Sequence, residues 1–141
     1  MIATEIEAIF AGQDIGDGDV DVDGVLRAFE RLRSLATKAE LATLIAAMQS
    51  PRNNFWTREL FAELVSQLGG IECLEQLLEV KKLGGDDGHD NDGICTFLSE
   101  IAYADPDSCR TKLRKLMAQG DFRFQDEAEW LLGFCKISTA P

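Results

Sequence analysis

Residues 60–83, LFAELVSQLGGIECLEQLLEVKKL, constrain the fold more than any other stretch. Leu60, Phe61, Leu64, Val65 and Leu68 recur at helical spacing and make one broad apolar face. Gly69-Gly70 then interrupt the pattern, because glycine reaches the left-handed conformation that ends a helix at little cost. Ile71, Leu74, Leu77 and Leu78 restart the same spacing. Two short amphipathic helices folded at a glycine pair cannot bury their faces alone, so they require neighbours of the same kind.

The remaining segments supply them. Ile6, Ile9 and Phe10 mark a first helix over 3–11; the glycines and five aspartates of 12–24 make a loop. Asp23 is the expected cap of a helix carrying Val25, Leu26, Phe29 and Leu32, and Thr37…Glu40 is a capping box opening a helix with Leu41, Leu44, Ile45 and Met48. SPRNN at 50–54 is a turn. A second acidic loop at 84–93, GGDDGHDNDG, ends in Asp92 as expected cap for a helix with Ile94, Phe97, Leu98 and Ile101. Asp105-Pro106 starts the next helix, which Gly120 ends, and the last runs from Gln125 to Lys136. No alternating strand pattern occurs, so the expected class is all-α, in one domain over 1–141: an N-terminal helix and acidic loop (1–24), helical repeats (25–137) and a tail (138–141).

The helices repeat. Ala28-Phe29, Leu60-Phe61, Phe97-Leu98 and Trp130-Leu131 stack at offsets of 32, 37 and 33 residues, the spacing of a two-helix unit in an α-solenoid. LATLIAAMQSPRNNFWTRELFAELVSQLGGIECLEQLLE resembles the helix–turn–helix unit of the HEAT-like repeat family, and LRKLMAQGDFRFQDEAEWLLGFC resembles the start of another. The resemblance spans residues 22–137, about three and a half units, and implies a short α-solenoid of antiparallel helix pairs whose faces and edges bind other proteins. In such a solenoid the two acidic loops, two units apart, fall on one edge.

Net charge is −11, and nine of the 25 acids sit in two runs that contain no Lys or Arg: Asp14, Asp17, Asp19, Asp21 and Asp23, then Asp86, Asp87, Asp90 and Asp92. Local acidity of this kind argues against nucleic acid or an anionic membrane and for a basic protein partner or a cation. No apolar run approaches the roughly 20 residues of a membrane span, and the acids of the N-terminus do not fit an export signal, which points to the cytoplasm. Cys73, Cys95, Cys109 and Cys135 lack CxxC pairing and read as small buried hydrophobes.

The sharpest motif is Asp19-Val20-Asp21-Val22-Asp23-Gly24 with Glu30, an EF-hand pattern in which Asp19, Asp21, Asp23, Val25 and Glu30 would supply calcium ligands. No helical pattern runs into Asp19, so a solvated acidic loop ending in an N-cap is the favoured reading and no metal or other cofactor is expected. His89, the single histidine, stands beside Asp87 and Asp90 in a loop and reads as exposed rather than as a metal ligand. One histidine leaves no legible nucleophile–base pair, and no enzyme is expected.

An acidic helical chain of this size also resembles bacterial immunity proteins, which neutralise a cognate toxin by occluding its active site. The expected partner is therefore a basic protein, such as a secreted toxin domain; a general adaptor or complex subunit and a calcium-binding regulator are the competing readings. The candidate contact residues are Asp17, Asp19, Asp21, Asp86, Asp87, His89, Asp90 and Asp92, with Trp56 and Phe122 as aromatic anchors.

Overall fold

A computed structural model describes residues 2–13, 20–88 and 91–135. The protein is all-helical, with no strand among the described residues, as the apolar spacing requires. The chain divides into two compact units, Met1–Leu68 and Gly69–Pro141.

In the first unit, α1 (Ala3–Gln13) lies against α2 (Val22–Leu35). Ile6, Ile9 and Phe10 are buried on α1, and Val25, Ala28, Phe29 and Leu32 on α2. Each fully buried Val, Leu, Ile or Phe among them contributes about 1.5–3 kcal/mol. Gly12 permits the close approach: a Cβ there would lie 2.6 Å from Val25 Cγ2. The cap of α2 is Asp21 rather than Asp23. Its Oδ1 accepts from the Gly24 amide at 3.0 Å, and only a glycine leaves room, since a Cβ at 24 would meet Asp21 Oδ2 at 2.1 Å. Asp23 is thereby drawn into the first turn.

The expected capping box is present. Glu40 Oε1 accepts from the Thr37 amide and hydroxyl, both at 3.1 Å, and a 3-10 turn over Lys38–Glu40 leads into α3 (Leu41–Gln49). The SPRNN turn joins α3 to α4 (Phe55–Gly69) and holds a polar knot the sequence reading did not foresee. Asn53 Nδ2 donates to the carbonyls of Ala47 and Met48 at 2.7 and 3.0 Å. Thr57, fully buried, donates to Gln13 Oε1 at 2.7 Å, so the end of α1 is tied to the start of α4. Arg52 lies over the Phe10 ring at 4.7 Å and pairs with Glu7 at 2.8 Å. Phe10 in turn meets Phe61 at 5.5 Å between centroids.

Gly70, with φ +53°, ends the helical run where the glycine pair marks it; a 3-10 turn, Gly70–Cys73, then opens α5 (Leu74–Asp86). The second unit packs α5 with α6 (Asp92–Ala104), α7 (Pro106–Met117) and α8 (Gln125–Leu132). Its core includes Leu74, Leu77, Leu78, Leu98, Leu113 and Leu131, all fully buried. Asp105 caps α7 as expected, its Oδ1 accepting from the Ser108 amide at 3.2 Å, with Pro106 in the first turn. The last helix ends at Leu132 instead of reaching Lys136; Gly133 caps it and the Cys135 side chain still turns inward.

The largest departure is at the second acidic loop. α5 runs through Gly84 and Gly85 to Asp86, where the sequence suggested a loop from Gly84. The cap of α6 is Asn91, not Asp92, and it adopts a left-handed conformation with φ 59°. Asn91 is 8% exposed, and its Nδ2 donates to the Lys81 carbonyl at 2.9 Å. A Cβ at Gly84 would meet Asn91 Oδ1 at 2.0 Å. Gly84 is thus the slot that receives the Asn91 amide, which is why a glycine stays helical here.

Candidate partner-binding site

The acidic turn between α5 and α6 is built on that slot. Gly88 turns the chain at φ +83°, its amide donating to the Gly85 carbonyl at 3.0 Å, while the Asp87 amide donates to Leu83 at 3.1 Å. The Asn91 carbonyl accepts from the Cys95 amide at 2.8 Å, fixing the far side. Asp86, Asp87 and Asp92 are all exposed on this frame. Lys82 pairs with Asp86 at 3.5 Å, one helical turn apart and open to solvent, worth only a few tenths of a kcal/mol. Asp86 also borders an open groove with Glu79, Lys82, Leu83, Arg123 and Phe124. Arg123 reaches Glu79 at 3.7 Å and lies over Phe124 at 5.3 Å. His89 and Asp90 lie outside the described residues.

The other expected contact residues fare differently. Asp17 and Asp19 lie outside the described residues, and Asp21 is exposed as the α2 cap. Trp56 is half-buried on α4. Phe122 is 9% exposed and stands edge-on to buried Phe124 at 5.7 Å, so it closes the end of a core rather than standing out as an anchor. Of the EF-hand set, Asp23, Val25 and Glu30 lie along one helix, with Val25 fully buried. Seven residues of α-helix separate Asp23 from Glu30 by about 10 Å along the axis, too far to close one coordination shell. The motif matches in letters while the backbone runs helically from Val22 through Glu30, where a calcium loop would have to wrap the ion.

Sequence reasoning missed an aromatic face in the second unit. Tyr103, 63% exposed, stands edge-on to Phe134 at 5.8 Å, and Phe134 to Trp130 at 5.0 Å. Lys81 Nζ sits 4.7 Å above the Trp130 ring. Trp130 and Phe134 are half-buried, beside the buried Leu131 and Cys135. The signal was legible at Tyr103: it falls on the side of α6 opposite Ile94, Leu98 and Ile101.

The buried Cys109 thiol meets that of buried Cys135, the residue after Phe134. Burial foremost, and then that contact, pushes Cys109 up from 9.0 to about 12, so it stays protonated and unreactive near neutrality. No disulfide joins Cys73, Cys95, Cys109 or Cys135. No helix among the described residues is long and apolar enough to cross a membrane. Compared with protein-family models, curated proteins and solved structures, the chain matches none.

Proposed function

We propose that this protein is a binding module that grips a basic partner protein through the acidic turn between α5 and α6, and that the partner is a toxin domain held inactive in the complex. The observation that carries the reading is the buried Asn91 amide, hydrogen-bonded to Lys81 and lodged at Gly84, which fixes the frame bearing Asp86, Asp87 and Asp92. Carboxylates held in place lose less freedom on binding than carboxylates on a free loop. Four aspartates of the chain fall within 86–92, and their field accelerates encounter with a positive surface. The acidity of the whole chain, net −11, acts in the same direction.

The repeat offsets support a further element of the reading, that the helices are pairs of the HEAT-like kind, a class whose members act by binding. No reaction is assigned to the chain: its sequence has one histidine and so no legible nucleophile–base pair, and the buried Cys109 thiol keeps its proton near neutrality. The test is affinity capture from the native host at low salt, with elution at high salt and identification of what elutes. A basic toxin whose activity is restored on elution fits the proposal. A subunit of a stable metabolic assembly would replace it with the adaptor reading.

A further inference from the structure

We infer that the Tyr103–Phe134–Trp130 face is the anchor of that basic partner and receives an arginine side chain. The inference rests on the reading that the partner is basic and adds where it is held and by which residue type. Three rings in edge-to-face sequence fix one another, so Tyr103, although 63% exposed, is presented in a set orientation. Tyrosine and tryptophan of this kind are the side chains that dominate protein interfaces, because little entropy is lost when they are covered.

The surroundings select the occupant. Glu100 lies one turn before Tyr103 on α6 and is exposed; Asp126 lies one turn before Trp130 on α8 and is exposed. Arg110, which lies near the face through its hydrogen bond to the Cys135 carbonyl, is itself paired with Asp107 at 2.9 Å. Lys81 of this chain already holds a cation over the Trp130 ring, so the partner's cation stacks on the exposed Tyr103 ring. An aromatic surface edged by carboxylates fits a planar cation that can stack on a ring and pair with an acid at once. Guanidinium does both, whereas the compact, strongly hydrated ammonium of lysine stacks poorly.

The test uses two short peptides of equal length and charge, one arginine-rich and one lysine-rich, titrated calorimetrically into the full chain at low salt. The arginine peptide is expected to bind more tightly, by about tenfold. Tyr103→Ala is expected to remove that preference while Tyr103→Phe, which keeps the ring, retains it; circular dichroism checks that both variants are folded. Replacing Asp86, Asp87 and Asp92 by Asn should weaken both peptides alike and leave their ratio unchanged. Equal affinities for the two peptides, or a preference that survives Tyr103→Ala, would overturn the aromatic anchor. If both peptides then still weaken with the Asn variant, the acidic-turn reading stands without it; if they do not, that reading fails as well. Binding of neither peptide overturns the anchor.

Discussion

Gly84 and Asn91 form a lock whose two halves can be removed separately, and the energetics change sign between the two orders. In the native chain, Gly84→Ala places a methyl group where Asn91 Oδ1 now lies, 2.0 Å away. Asn91 must swing out, losing its 2.9 Å bond to the Lys81 carbonyl and leaving its buried site. That loss is worth about 1–3 kcal/mol. Alanine's advantage over glycine in a helix returns roughly 0.5–1 kcal/mol, because Gly84 has an ordinary helical φ. The net expectation is a destabilisation of about 1 kcal/mol, and at most roughly 2.5 kcal/mol. In an Asn91→Gly background the obstruction is gone and residue 91 keeps its left-handed conformation without strain. Gly84→Ala there should stabilise by roughly 0.5–1 kcal/mol, so the double-mutant cycle should show a coupling of about 2 kcal/mol. The assay is urea unfolding followed by Trp130 fluorescence in a Trp56→Phe background, which reports on the second unit alone. Additive effects within about 0.5 kcal/mol would refute the lock, and with it the claim that the acidic turn is held in place.

Leu77→Ala and Leu131→Ala, each at a fully buried position in the second unit, should cost about 2–5 kcal/mol in the same unfolding assay; wild-type stability in either variant would contradict the core described. Millimolar calcium should leave the melting temperature unchanged, since a site of micromolar affinity would add roughly 4 kcal/mol; a rise of several degrees that Asp21→Asn abolishes would revive the EF-hand reading. Cys109 keeps its proton up to about pH 12 in the folded chain but only to 9.0 when unfolded, so its contribution is complete below pH 9 and lost as pH rises toward 12. Cys109→Ala should therefore flatten the fall in stability across that window, by up to about 1.4 kcal/mol per pH unit, and an unchanged slope would show that this thiol is not the cause.

Helix positions were legible in the sequence because apolar spacing and caps are local signals. Asp105-Pro106 and Thr37…Glu40 each state a helix start within four residues, and both starts are where those signals place them. The errors came where a tertiary partner decides. Gly84-Gly85 looks like a break until Asn91 is known to need the vacant side; Asp92 looks like a better cap than Asn91 until the asparagine is seen to turn inward. Asp21 displaced Asp23 as cap for the same kind of reason, the open space over Gly24. Phe122 departs from expectation for another reason. Phe122 lies near a turn, but position near a turn says nothing of which side faces the core, whereas Tyr103 lies off the apolar stripe of its own helix.

The central claim is that the turn bearing Asp86, Asp87 and Asp92 steers and holds a basic partner. The direct measurement is the association rate of the natural partner with the wild-type chain and with the variant carrying Asn at all three positions, each at two salt concentrations. Asn caps and turns nearly as well as Asp, so the helices should remain intact. Slower association and a flatter salt dependence are expected, with the dissociation rate less affected, because exposed rim charges act mainly on encounter. An association rate and a salt slope equal to those of the wild type would contradict it.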